Sequence, residues 1–497
     1  MPAADALSWL ETALAAAAAL ALLLALARHL WAVRWSLSRD RTSALPLPEG
    51  SMGWPFFGET LHWLIQVRPF HSSRRQRYGA VFKTHLLGKP VIRVSGAENV
   101  RKILLGEHSL VSAQWPVSTQ ILLGEHTLLN ASTDTHRQRR KILTRVFSRA
   151  ALEAYLPRIQ RVVSWELQGW CQAPGPIAVY ASAKTLTFRI AAQILLGLRL
   201  DEKTFQELAQ TFEQLMENLF SLPLNIPFSG LRKVQALCMC VLSWNQSSRC
   251  RACFNAEAKA LCTSSEESAI ELIFAAFFTT ASASTSMILL LLKHPLVIKK
   301  IQQELLRQDE AGRLLSSLER PECYCQPNLT LEKMSRLRYL DCVIKEVLRL
   351  LPPVSGGYRT ALQTFELNGY QIPKGWSVMY SIRDTHETTS IYQSPPDSFD
   401  PERFWTSQEG QEEHKVAGST RFHYIPFGGG VRNCIGKELA QTILKLLAIE
   451  LVSTAHWELA TVHFPKMQTV PIVHPVDGLQ LYFHPLKPGR KSNKANT

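Results

Sequence analysis

The ten residues Phe427 to Gly436, FGGGVRNCIG, place one cysteine, Cys434, in a glycine-rich loop just ahead of the helical run KELAQTILKLLAIEL. These residue types suit a thiolate that ligates a haem iron. Glycines at 428, 429, 430 and 436 let the backbone turn tightly and approach a flat ring. Backbone N–H groups and the start of the following helix stabilise negative charge on sulfur. Arg432 can pair with a haem propionate, and Phe427 can shield the sulfur from water. The plainer alternative is a buried free cysteine in an ordinary loop.

Other charged residues stand at helical spacings. Glu346 and Arg349 in KEVLRLLPP are i, i+3 and share one helix face; a solvated surface pair is the ordinary fate of that spacing. His136 and Arg140 in THRQRRKIL are i, i+4, with Arg137 and Arg139 on what reads as a basic, solvated face. The run IELIFAAFFTTASASTSMILLLL, residues 270–292, is a long apolar helix carrying small residues and threonines in its middle.

The elements that must position these groups are mostly helical: 136–156, 203–220, 266–293, 295–307 and 336–350. Strand-like alternation appears in 81–96 and 365–382, expected to share one small sheet. The expectation is a mainly α fold with a small β subdomain. In a chain of 497 residues, 55 Lys and Arg against 41 Asp and Glu give a net charge of +14. The basic residues are dispersed and form no nucleic-acid module, so an anionic bilayer surface or an acidic redox partner fits better. Ten cysteines, unevenly placed in a long chain, exclude a secreted disulfide framework.

Leu7 to Ala27 is 21 residues, apolar except for Ser8, Glu11 and Thr12. That length crosses a bilayer as a helix. Arg28, Arg34, Arg39 and Arg41 follow, with Trp31 and Trp35 as expected interfacial anchors. The positive-inside rule then leaves the rest of the chain in the cytosol. A cleaved signal peptide would want a basic start, which is absent. The expected organisation is a membrane anchor with basic flank (1–44), a proline-rich hinge (45–59), a catalytic domain (60–486) and a polar tail (487–497).

The pattern F-x-x-G-x-R-x-C-x-G at 427–436, with E-x-x-R upstream of FDPERF (399–404) upstream of the Cys loop, resembles the cytochrome P450 family of haem-thiolate monooxygenases. The resemblance implies that fold, haem b (iron protoporphyrin IX) on Cys434, and electrons from NADPH through a cytochrome P450 reductase. It implies a buried triad of Glu346, Arg349 and Arg403. It implies propionate contacts from His136, standing where the family usually has Trp, and from Arg140 and Arg359, with His386 and Arg432 as candidate additions. Residues 274–280 match the family's oxygen-side motif. Thr279 would then manage a proton as the catalytic residue, and Phe278 replaces the usual acid.

Within that family the chain is most similar to the retinoic acid hydroxylases, family twenty-six, and to their C-type branch. The matches include SMGWPFFGETLHWL, FKTHLLGKPVIRVSGAENVRKILLGEH, LRLLPPVSGGYRTALQTFELNGYQIPKGWSVMYSIRDTH and AAFFTTASAST. The similarity implies hydroxylation of all-trans retinoic acid, with the 9-cis isomer as a candidate second substrate, mainly at carbon 4. It implies an endoplasmic reticulum location with the catalytic domain facing the cytosol, and a pocket lined by Trp115, Phe220, Phe274, Pro353, Val354 and Gly357. Residues 234–265 depart from the family. They hold Cys238, Cys240, Cys250 and Cys253, whose spacing could chelate zinc, though an altered segment from unusual splicing or a gene-model error fits better. Two competing functions follow from the departures: a reductase-independent haem-thiolate isomerase of peroxides, or an inactive haem or retinoid binder.

Overall fold

The computed structural model describes the chain except residues 219–231, 233–265, 311–328, 406–420 and 487–497 and short stretches at 1, 66, 114, 116–118, 121–126, 130, 132, 199, 390, 393 and 470–471. Phe220, the 234–265 segment with its five cysteines, and the polar tail therefore lie outside the described residues. The chain divides into two compact units, Met1–Gln114 with Gly356–Ser381, and Trp115–Ser355 with Ile382–Thr497.

The first unit is built on a five-stranded sheet. Its spatial order is Val81–Leu86, Lys89–Val94, Ser377–Ser381, Gly356–Ala361, Val111–Ala113. The first two strands form a hairpin in which Val81 faces Val94 and Leu86 faces Lys89. Gly88, at φ 77°, supplies the left-handed conformation that a two-residue hairpin turn needs. Only part of 365–382 joins this sheet. Phe365–Leu367 and Tyr370–Ile372 pair with each other as a separate hairpin, because Asn368 (φ 54°) and Gly369 (φ 81°) turn the chain back on itself.

The N-terminal helix runs from Pro2 to Leu37, past the expected end of the anchor. Thr12–Leu37 is long and apolar enough to cross a bilayer, with a mean hydropathy of 2.0 and none of its best window buried. Trp31 and Trp35, expected as interfacial anchors, also make contacts within the protein. Trp31 is buried, and its indole N–H donates to the Met52 carbonyl at 3.1 Å. It also meets the His85 ring edge-on at 5.2 Å, while Trp35 meets Trp376 at 5.9 Å. A large aromatic gains more by covering apolar neighbours than by lying at a wet surface.

The second unit has a helical core around Glu266–Lys293. Its middle is so rich in small residues that Ala281, Ser282, Ser284, Thr285 and Ser286 are all fully buried. Helices Val179–Ile190, Arg338–Leu350 and Lys437–Thr454 pack directly against it. Although it is apolar enough to cross a membrane, 78% of its most apolar 18-residue stretch is buried inside the protein, which marks it as a core helix. The expected helix 136–156 is two helices, Thr133–Val146 and Arg149–Gln172. Ser148 breaks it by accepting a hydrogen bond from the Ala151 N–H, as an N-cap does. A three-stranded sheet, Ile177–Ala178, Gln480–Pro485 and Ala455–Leu459, closes this unit.

The contacts of Trp31 and Trp35 have a consequence for truncation. A chain starting at Arg28 keeps both tryptophans and is expected to melt with the full chain in detergent. One starting at Leu45 loses them and is expected to be less stable by about 2 kcal/mol. Equal melting of the two truncations would show that these contacts contribute nothing.

Candidate active site

Cys434 sits at the end of a closed loop. Gly428 (φ 68°) and Gly430 (φ 66°) adopt left-handed backbone that an L side chain would strain. The Gly428 N–H donates to the Ile425 carbonyl, and the Cys434 N–H donates to the Phe427 carbonyl, both at 2.9 Å. The phenyl ring of Phe427 is half-buried against the main core. Cys434 is exposed in surface area, yet protein packs around it closely enough that desolvation raises its thiol pKa. The Gly436 N–H, Arg140 and Lys437 pull the other way. An exposed sulfur in a dry, cationic setting, beside the first turn of the 18-residue helix Lys437–Thr454, is a fit seat for a thiolate bound to a metal.

Arg140 is half-buried and donates to the Asn433 side-chain carbonyl at 2.5 Å, next to the cysteine. His136 is buried one turn earlier on the same helix. Arg137 points away and is exposed, 4.0 Å from Asp134. Arg432 has partners other than the expected propionate. It donates to the carbonyls of Leu128 (3.1 Å), Leu129 (3.3 Å) and Ala131 (2.8 Å). In the first unit, Arg359 is likewise engaged by protein. It donates to the buried Glu107 carboxylate at 2.6 Å and to the Tyr358 carbonyl at 2.8 Å.

The structure brings Glu346, Arg349 and Arg403 together. Arg349 clasps both Glu346 oxygens at 2.6 and 2.8 Å, and Arg403 Nε reaches Oε1 at 3.2 Å. All three side chains are essentially sealed from solvent. The second positive charge is met by backbone: Arg349 donates to the Pro396 and Ser398 carbonyls, and Arg403 to those of Ser394 and Pro395.

His386 does not reach outward toward a cofactor. Its ring is fully buried; Nδ1 lies 3.1 Å from the Arg349 carbonyl, and Nε2 accepts from the Ile425 N–H at 2.9 Å. That pair of contacts defines a neutral imidazole with the proton on Nδ1. It ties the helix of the triad to the segment leading into the Cys434 loop.

On the core helix, Ala275 is exposed and Thr279 half-exposed, while Ile273, Phe277, Phe278 and Ala281 are buried. Residues 275 and 279 stand one turn apart on one face, so this buried helix keeps a narrow open strip lined by a methyl and a hydroxyl. The Thr279 hydroxyl donates to the Ala275 carbonyl at 2.7 Å, leaving its lone pairs free to accept. Phe278 turns away from the strip. Its ring lies 4.4 Å from that of Phe277 and 5.7 Å from the Lys184 ammonium, which also pairs with Glu213. Among the expected pocket residues, Phe274 is half-buried beside the strip, Trp115 is half-buried, Pro353 is buried and Val354 is 39% exposed. Gly357, in the first unit, packs against the Tyr380 ring, where a Cβ would come within 2.6 Å of the phenol oxygen.

Sequence reasoning missed Glu271. It is buried, and its carboxylate accepts from the Leu128 and Leu129 N–H groups, both at 3.0 Å. The signal was a lone acid at the head of an apolar helical run. Glu107 and the bridging role of His386 had no local signal.

An exposed yet desolvated cysteine on a glycine loop, a half-buried arginine beside it and a core helix with an open strip of small residues together fit a haem held by sulfur. A sequence profile of the Cytochrome P450 family matches residues 48–236 and 263–483. The chain therefore belongs to the cytochrome P450 family and is an oxidoreductase of its monooxygenase class, which implies a haem cofactor and electrons from a redox partner. It is 61% identical to human cytochrome P450 26C1, with 95% of each chain covered. It is 62% identical to the mouse protein of that name, over 94% of this chain and 93% of the other, and 50% identical to zebrafish cytochrome P450 26B1, over 96% and 94%. Among solved structures it is similar to the retinoic acid-bound cyanobacterial CYP120A1, with TM-score 0.76 and 33% identity, covering 89% of this chain and all of the other.

His386 carries a pH dependence. Burial lowers its pKa from 6.5 to about 3. Below pH 6.5 the unfolded chain takes up this proton and the native one does not, so the contribution is present above pH 6.5 and is lost as pH falls toward 3. At pH 5 the loss is about 2 kcal/mol. Urea unfolding at pH 7 and pH 5 is expected to show a smaller pH difference in His386→Gln than in the native chain, by about that amount. An unchanged difference would mean that the ring is protonated in the fold.

Proposed function

We propose that this chain hydroxylates all-trans retinoic acid, mainly at carbon 4, and accepts the 9-cis isomer as a second substrate. Substrate, dioxygen, two electrons and two protons give the alcohol and water. The electrons come from NADPH through cytochrome P450 reductase. The reaction takes place at the endoplasmic reticulum membrane, with the N-terminal helix spanning the bilayer and the catalytic domain on the cytosolic side. The observation that carries the substrate is the match to a retinoic acid-bound P450 at 33% identity over 89% of this chain.

Cys434 would hold haem b through its sulfur, with Phe427 beside the loop and His136 and Arg140 toward the propionates. When bound, the haem supplies the activation of dioxygen and the insertion of a hydroxyl. The protein's own part is positioning, exclusion of water and management of protons. Desolvation opposes ionisation of Cys434, while the Gly436 N–H, Arg140 and Lys437 favour it; bound to iron, the sulfur would be held as thiolate. The open strip at Ala275 leaves space beside the helix, and Phe274 gives it an apolar edge suited to a polyene. Thr279, whose hydrogen is engaged by the Ala275 carbonyl, presents lone pairs that accept from a water and hold it with its other proton directed inward. Phe278, packed among rings and Lys184, takes no part in that transfer, so the water held by Thr279 carries it.

The test is turnover of all-trans retinoic acid by the full chain in lipid with NADPH and reductase. The expected product is the 4-hydroxy acid. Cys434→Ala is expected to abolish both turnover and the thiolate-type absorption of the reduced, carbon monoxide-treated protein. Thr279→Ala is expected to retain that absorption and lower product per NADPH by about tenfold, with hydrogen peroxide released instead. Turnover of hydroperoxide without reductase, and none of retinoic acid with it, would replace this reading by a peroxide isomerase. A spectral shift with retinoic acid but no turnover in either assay would leave a binder.

A further inference from the structure

We propose that Glu271 is a positioning residue that holds the Cys434 loop from the opposite side of the site, through the backbone of Leu128, Leu129 and Ala131. The inference rests on the reading of Cys434 as the haem ligand. Glu271 lies on the core helix, one turn before Ala275, and its carboxylate is buried. Burying a carboxylate is costly unless strong donors meet it. Here the Leu128 and Leu129 N–H groups do so, both at 3.0 Å. The carbonyls of the same two residues accept from Arg432, which also takes the Ala131 carbonyl. The peptide unit that joins Leu128 to Leu129 thus lies between an anion and a cation, its N–H toward Glu271 and its C=O toward Arg432. The dipole of that peptide is aligned with the field between the two charges, so each charge strengthens the other's hydrogen bond to it.

Arg432 is two residues before Cys434, and Arg140 acts on the sulfur electrostatically from the neighbouring helix. The chain Glu271, Leu128–Leu129, Arg432 therefore fixes the approach to the cysteine from the oxygen-side helix. Loss of Glu271 would leave two amides without their acceptor and free Arg432 to move. The expected defect is a sulfur that drifts from its ligating position, with the substrate side of the helix unchanged.

A double-mutant cycle tests this in the full-length haem-loaded protein. The readout is the rate at which the thiolate-type absorption of the carbon monoxide complex decays at fixed temperature. Glu271→Ala and Arg432→Ala are each expected to speed decay by about tenfold, and the double variant no more than the worse single one. Independent effects that multiply, or a Glu271→Ala rate equal to the native rate, would overturn the proposal. Should Glu271→Ala fail to load haem, Glu271→Gln keeps the shape and one acceptor without the charge. It is expected to decay about threefold faster, with faster amide exchange at Leu128 and Leu129. Faster decay with unchanged exchange at those two amides would also overturn the proposal, since Glu271 would then act elsewhere. Survival of the thiolate absorption in Cys434→Ala is a separate result. It would remove the ligand assignment itself, whatever the behaviour of Glu271.

Discussion

The buried Glu346 carboxylate, gripped by Arg349 and Arg403, is the interaction from which the site is hung. Three charges out of water are tolerated only because each lone pair and proton has a partner. The backbone N–H of Asp400 adds a further donor to Glu346 at 3.0 Å, and four carbonyls take the remaining guanidinium protons. Removing the carboxylate would leave two cations buried together, a loss of the order of 3–5 kcal/mol. From this knot the order propagates. The Arg349 carbonyl meets His386, His386 accepts from Ile425, the Ile425 carbonyl accepts from Gly428, and the Phe427 carbonyl accepts from Cys434. A sulfur whose position must be set closely is thus referenced to a fully buried, multiply hydrogen-bonded polar point in the core.

The opposite wall works by different means. The core helix is held by small buried residues rather than by charge, and so it can come close to its neighbours while leaving an open strip at Ala275 and Thr279. Phe278 shows how the acid usual in the family is dispensed with. An aromatic ring at this position joins the cluster of Phe188, Phe212 and Phe277, and Lys184 finds its carboxylate in Glu213 instead.

What was legible in the sequence was local. The glycines and the cysteine of FGGGVRNCIG lie within ten residues, and their backbone demands follow from composition alone. Glu346 and Arg349 share a helix face by spacing, and the core helix announces itself by length and apolarity. Partnerships across long separations were not legible. Arg359 meets Glu107 over 252 residues, and Arg432 meets the carbonyls of Leu128, Leu129 and Ala131 over about three hundred; no periodicity encodes such pairings. The protein contacts of Trp31 and Trp35 were not legible because an aromatic that flanks an apolar helix serves a membrane interface and a protein contact equally well. Ser148 divided an expected helix because a cap outweighs helical periodicity that continues on both sides of it.

The account stands on one sulfur of this chain binding iron. X-ray absorption at the iron edge of the haem-loaded full-length protein measures that bond without reference to turnover. One sulfur neighbour at bonding distance, absent in Cys434→Ala, is the result the account requires. An iron surrounded by nitrogen alone in the native protein would contradict it.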